Sequence, residues 1–193
     1  MDFGLTPDQR KWVDRVTAIG EEFAARARVC DEAAAYPAEN FERLHRERLL
    51  HLAIPREYGG EGESGANSGL VLYLVAEVIA RYCPTTSWDL MIHWHQIGIL
   101  ARLGSEEQKR RIFDDVLERV VLASMGTEIN PTKIIATSSG EQKPVFESEL
   151  RPVKGGFVAN GKKHFCTLLR LSARPCRMRR IGCRSPSWHR TRP

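Results

Sequence analysis

Cysteine is scarce and unpatterned in this 193-residue chain: Cys30, Cys83, Cys166, Cys176 and Cys183 form no CxxC pair, and 5 is an odd number. That excludes a disulfide framework, and with no secretory signal ahead of them reduced thiols in a cytoplasmic setting are expected. Long apolar runs are also lacking. The most apolar one, Gly69 to Ala80, is broken by Glu77 and is too short for a bilayer, so it reads as a buried helix rather than an anchor. The glycine-rich stretch REYGGEGESGANS, Arg56 to Ser68, has no GK[ST] after it and no strand leading into a GxGxxG. It is therefore a loop and not a phosphate cradle. His93 and His95 stand two apart and point to different faces of a helix, which excludes a simple metal pair and leaves core or interface histidines.

The net charge of +5 suggests an acidic partner until its distribution is read. Arg170 to Pro193 holds eight arginines and neither lysine nor an acidic residue. Without them, 21 basic residues face 24 acidic ones, a body of charge −3. Three readings fit this arginine-rich tail: a nucleic-acid-binding arm that is disordered until it meets phosphates, a targeting segment at the wrong end, or out-of-frame translation of a GC-rich gene. The third is preferred, because periodicity vanishes right after Thr167-Leu168-Leu169. Nucleic acid ranks last among the partners considered.

What is present is mostly helix. Thr6-Pro7-Asp8-Gln9 is a capping-box start, and Trp12, Val16, Ile19, Phe23 and Ala27 then recur at helical spacing, which predicts one amphipathic helix. A second is expected from about Ala38 to Leu52. A third covers Gly69 to Arg81, and a fourth runs from about Thr85 to Leu103. A fifth opens on the capping box Ser105-Glu106-Glu107-Gln108 and ends near Glu118. At Val120 the period changes. Val120 to Met125 reads as a short strand and Val145 to Arg151 as a half-solvated one, followed by a hairpin within Val153 to Thr167 turning at Asn160-Gly161. The fold class is α+β: an N-terminal all-α bundle over residues 1–119, the start of an antiparallel β-domain over 120–169, and the tail at 170–193.

The order of helices, PREYGG (55–60), GSEEQK (104–109), a strand ending in Thr127-Glu128 and NGKKHFCT (160–167) resembles the acyl-CoA dehydrogenase superfamily. The resemblance covers roughly Met1 to Leu168. It implies a flavoprotein, with FAD as cofactor, that oxidises CH–CH bonds of acyl thioesters in fatty acid metabolism. In intact relatives it also implies an electron-transfer flavoprotein as partner and a homo-oligomer. By the same resemblance the strand around Ser124, Met125, Gly126, Thr127 and Glu128 meets the flavin pyrimidine edge, Phe165 flanks the ring, and Thr167 reaches the N5 region. The residue types suit those tasks: a planar ring needs an apolar flank, and a hydride-accepting nitrogen needs an oriented hydroxyl.

Two departures bear on activity. The family usually continues Pro-x-Ala-Gly-Ser-Asp after Thr-Glu, whereas this chain has Ile129-Asn130-Pro131-Thr132-Lys133-Ile134. That keeps open a reduced-flavin-dependent monooxygenase of the same fold, binding FMN. The family's catalytic Glu belongs to a third, helical domain for which this sequence has no counterpart, so no catalytic residue is assigned and a truncated, inactive form is expected. A non-enzymatic helical module with a basic nucleic-acid-binding tail is the remaining alternative.

Overall fold

The computed structural model describes residues 4–63, 69–124, 134–136, 142–144, 148–154, 156–161 and 167–168, with segments 134–136 and 142–144 given by backbone alone. The described helices are α1 Pro7–Thr17, α2 Gly20–Glu32, α3 Ala38–Arg46, α4 Gly69–Tyr82, α5 Pro84–Leu103 and α6 Glu106–Leu117. The strands are β1 Ile134–Ala136, β2 Gln142–Pro144, β3 Glu149–Val153 and β4 Gly156–Asn160. They pair as two antiparallel two-stranded sheets, β1 with β2 and β3 with β4. The architecture is thus the expected α+β one, and the described residues fall into two compact units, 4–124 with 167–168, and the segments between.

In the helical unit both capping boxes form. Thr6 Oγ1 accepts from the Gln9 N–H at 3.3 Å while Gln9 Oε1 accepts from the Thr6 N–H at 2.9 Å. Ser105 and Gln108 repeat the exchange at the start of α6. Each pair satisfies two N–H groups that a helix start leaves without partners. The core is built from the periodic positions: Val16, Phe23, Leu44, Val75, Ile79 and Ile97 are fully buried. Two helix boundaries differ from expectation. The stripe Trp12–Val16–Ile19–Phe23 is buried, but two helices carry it, since α1 closes with the Ala18 N–H on Asp14 O and α2 begins at Gly20. There the ring of Tyr82 lies so close that a Cβ on Gly20 would overlap it. Spacing alone does not register such a break, because the stripe continues across it.

The helix expected to reach Leu52 ends at Arg46 instead. Arg48 takes a left-handed φ of +61°, and its guanidinium donates to Glu61 and to the carbonyl of Gly59. A 3-10 turn over Leu49–His51 follows, and Leu49 and Leu52 are buried all the same. The loop after Pro55 folds back on this turn, with the N–H groups of Glu61 and Glu63 donating to the carbonyls of His51 and Leu52.

The strand expected over Val120 to Met125 does not join a ladder over its described part, Val120 to Ser124. Of the strand expected over Val145 to Arg151, residues 145–147 lie outside the described residues, and the strand observed there is β3. The second strand of the hairpin expected to turn at Asn160-Gly161 lies outside the described residues, at 162–166; the hairpin observed is β3 with β4, one strand earlier. Val153 pairs with Gly156, which puts the reversal at positions 154–155, and Asn160 ends β4 opposite Glu149. Gly161, at φ +153°, also packs closely: a Cβ there would overlap the side chain of Ser148.

Candidate functional site

Helix α5 begins on Pro84, whose missing N–H costs nothing at a first helical position, and runs for 20 residues through the helical unit. Its buried face carries polar groups at Thr86, Asp89 and His93, at spacings of three and four. Thr86 accepts a hydrogen bond from Asn40 Nδ2 at 2.9 Å. His93, with no exposed surface, spans two loops: its Nδ1 accepts from the Leu122 N–H at 3.0 Å, and its Nε2 lies 3.1 Å from the carbonyl of Leu50. A ring that accepts at Nδ1 carries its proton on Nε2, so Nε2 donates to Leu50 and the imidazole is neutral. Burial lowers its pKa to about 4, consistent with that state. Beside it, Trp94 Nε1 donates to the Leu49 carbonyl at 2.9 Å.

Leu122 stands two residues before Ser124. The Ser124 N–H donates to the carbonyl of Thr167 at 3.2 Å. Leu168 then turns at φ +68° and buries its side chain in the helical core. Two candidate residues drawn from motifs 43 positions apart are thereby joined by a backbone hydrogen bond, both half-buried. The other candidates, Met125, Gly126, Thr127 and Phe165, lie outside the described residues, as does Glu128. The bond brings two hydroxyl-bearing residues to adjoining backbone positions. Sequence reasoning placed His93 in the core or an interface, which burial bears out. It missed the tie itself, because the partners lie 29 and 43 residues away and no local spacing encodes them.

A second polar cluster lies near the start of the same segment. Tyr36, Phe41, Glu42, His45, Leu50, Arg119 and Val121 line a cavity of about 150 Å³. Glu42 and Arg119 pair at 3.0 Å, and His45 Nδ1 meets His51 Nε2 at 3.2 Å. Burial, and then the neighbouring positive groups, lower both imidazoles, His51 to about 4. The Tyr36 hydroxyl is buried without a hydrogen-bond partner, and burial together with the charge of Asp89 pushes it well above the usual phenol range. Burial raises Asp89 itself to about 6. Among the described residues no group of three or more His, Cys, Asp or Glu side chains is placed to hold a metal, and no helix is long and apolar enough to cross a membrane.

Residues 6–119 match the family model for the acyl-CoA dehydrogenase N-terminal domain. A putative acyl-CoA dehydrogenase of Bacillus subtilis, YdbM, is 26% identical over 172 residues, covering 83% of this chain and 40% of that protein. The fold resembles butyryl-CoA dehydrogenase from Megasphaera elsdenii with a TM-score of 0.72 at 23% identity, covering 89% of this chain and 43% of that one. FMN-bound TdsC from Paenibacillus sp. A11-2, a dibenzothiophene monooxygenase, gives 0.67 at 24% identity over 81% of this chain and 36% of its own. The chain thus spans about two fifths of the length of these relatives.

Proposed function

The chain belongs to the acyl-CoA dehydrogenase family, and from that premise we propose that it is the flavin-edge portion of a flavin-dependent oxidoreductase acting on the CH–CH bonds of acyl thioesters. The observation that supports this most directly is the Ser124–Thr167 pair, which unites the two segments that the family resemblance assigns to the flavin. FAD is the cofactor expected there, and when bound it would supply the hydride acceptor. Ser124, Met125, Gly126 and Thr127 would meet its pyrimidine edge, Phe165 would flank the ring and Thr167 would reach the N5 region. The chain's own contribution is to orient that edge against a fixed backbone. Acyl-CoA as substrate, fatty acid metabolism, an electron-transfer flavoprotein as acceptor and homo-oligomerisation belong to the same proposal, for the whole protein.

The α-proton requires a base near the acyl group, and the two buried carboxylates among the described residues are held elsewhere. Glu63 is engaged by Arg56 and Trp12, and Asp89 faces Tyr36. This chain alone is therefore expected to bind flavin weakly and to turn nothing over. A titration of the 15N-labelled chain with FAD tests this. Expected is a saturable shift of the Ser124 and Thr167 amides, with no bleaching of the flavin on adding butyryl-CoA. Shifts absent from both amides would overturn the site, and acyl-CoA-dependent bleaching would overturn the lack of turnover. A second reading, a reduced-flavin-dependent monooxygenase binding FMN, is favoured by one observation: Ile129-Asn130-Pro131 replaces the residues usual after Thr-Glu. Tighter binding of reduced FMN than of FAD in the same titration would prefer it.

A further inference from the structure

We propose that His93 is the positioning residue of the proposed flavin edge: it fixes the backbone of segment 120–124, and so the place at which Ser124 meets Thr167, by bridging Leu122 to Leu50. The inference rests on the flavin reading for its functional meaning and on geometry alone for the positioning. Segment 120–124 leaves α6 and, among the described residues, enters no strand ladder. Among the described residues its backbone bonds through Val120 N–H to Asp115 O at its start and Ser124 N–H to Thr167 O at its end. Between them, the Leu122 N–H goes to a side chain, His93 Nδ1.

A side chain that serves as the partner of a buried backbone donor sets position more narrowly than apolar contact does, because a hydrogen bond weakens steeply with angle and distance. His93 suits this role for three reasons. It projects from a 20-residue helix, and it has no exposed surface, so water does not compete for either nitrogen. Its second nitrogen is held by Leu50, in the 3-10 turn that Trp94 also grips through Leu49. The turn fixes the ring and the ring fixes the segment. The charged and titratable groups near this assembly are His51 and, beyond it, His45, Arg48 and Glu61.

The chain can be tested as it stands. In the 15N-labelled wild type, a scalar coupling across the N–H···N hydrogen bond should connect the Leu122 amide to His93 Nδ1, with the ring in its Nε2–H form. A ring protonated at Nδ1, or the absence of that coupling, would overturn the assignment without any variant being made. Replacing His93 by Leu should accelerate hydrogen exchange at Leu122 and Ser124 by about tenfold or more relative to amides in α4, the loss expected for one hydrogen bond of ordinary strength. His93→Gln, which keeps one donor and one acceptor, should recover part of that protection. Uniform acceleration across α4 and the segment alike would mean a general loss of stability and would overturn positioning. If wild-type chain shows the coupling and the local exchange effect yet FAD shifts neither Ser124 nor Thr167, the flavin reading falls and the positioning role stands.

Discussion

At the scale of single residues, His93 has a consequence for stability that can be read against pH. In the unfolded chain it titrates near 6.5, whereas in the fold burial holds it near 4. Between those values the unfolded state binds more protons than the native one, so His93 favours the fold fully above about pH 6.5 and less as pH falls toward 4. A gap of that size corresponds to about 3 kcal/mol at full protonation. Asp89 acts with the opposite sign. Burial raises it to about 6, so the native state holds a proton that the unfolded state has released, and stability from this group falls as pH rises from 3.8 to 6. Urea unfolding at pH 7.5, 5.5 and 4.5 should therefore show wild type losing more stability on acidification than His93→Gln does. Equal slopes for the two proteins would contradict a neutral, buried imidazole. The sequence carried half of this. Two histidines two apart excluded a metal pair and left a core histidine, but what the ring holds is set by residues 29 and 43 positions away.

At the scale of elements, the helices were legible wherever local chemistry alone decides them. Both capping boxes follow from side-chain groups within three residues of the helix start, and both are found. The boundaries that sequence missed depend on distant partners: Arg48 turns left-handed where Glu61 and Gly59 receive its guanidinium, and α1 parts from α2 where Tyr82 presses on Gly20. The β3–β4 ladder shows the same division, since it pairs Glu149–Val153 with Gly156–Asn160, a partnership that the Asn160-Gly161 signal does not report, and the strand expected after that signal lies outside the described residues. The α1–α2 junction can be tested by Gly20→Ala. Added helix propensity favours alanine by up to about 1 kcal/mol. The overlap with Tyr82, a half-buried ring packed against the core, opposes it by about 1–3 kcal/mol, so a net loss of stability is expected in thermal unfolding. A stabilised Gly20→Ala protein would mean that the junction is set by chain preference and not by Tyr82.

At the scale of the whole molecule, the helical unit has a buried apolar core, while the described apolar side chains of the β3–β4 hairpin are exposed. In its register Leu150 opposes Ala159 and Pro152 opposes Phe157, and residues two apart on a strand share a face, so these four side chains form one apolar surface. Leu150 is 63% exposed and Phe157 67%. Among the described residues neither strand pairs with a third; two strands alone are marginal in water, and an exposed apolar hairpin pairs readily with other chains. Concentration-dependent self-association follows, and its location can be distinguished from association through the helices. Placing charge on that face with Leu150→Lys and Phe157→Lys should raise the soluble fraction and reduce the scattering mass at a given concentration. Lysine on two exposed apolar positions of the helical unit, Tyr73 on α4 and Leu103 on α5, should do less. If the helical substitutions disperse the protein and the hairpin ones do not, the sticky surface lies on α4 and α5, and the hairpin is already covered in solution.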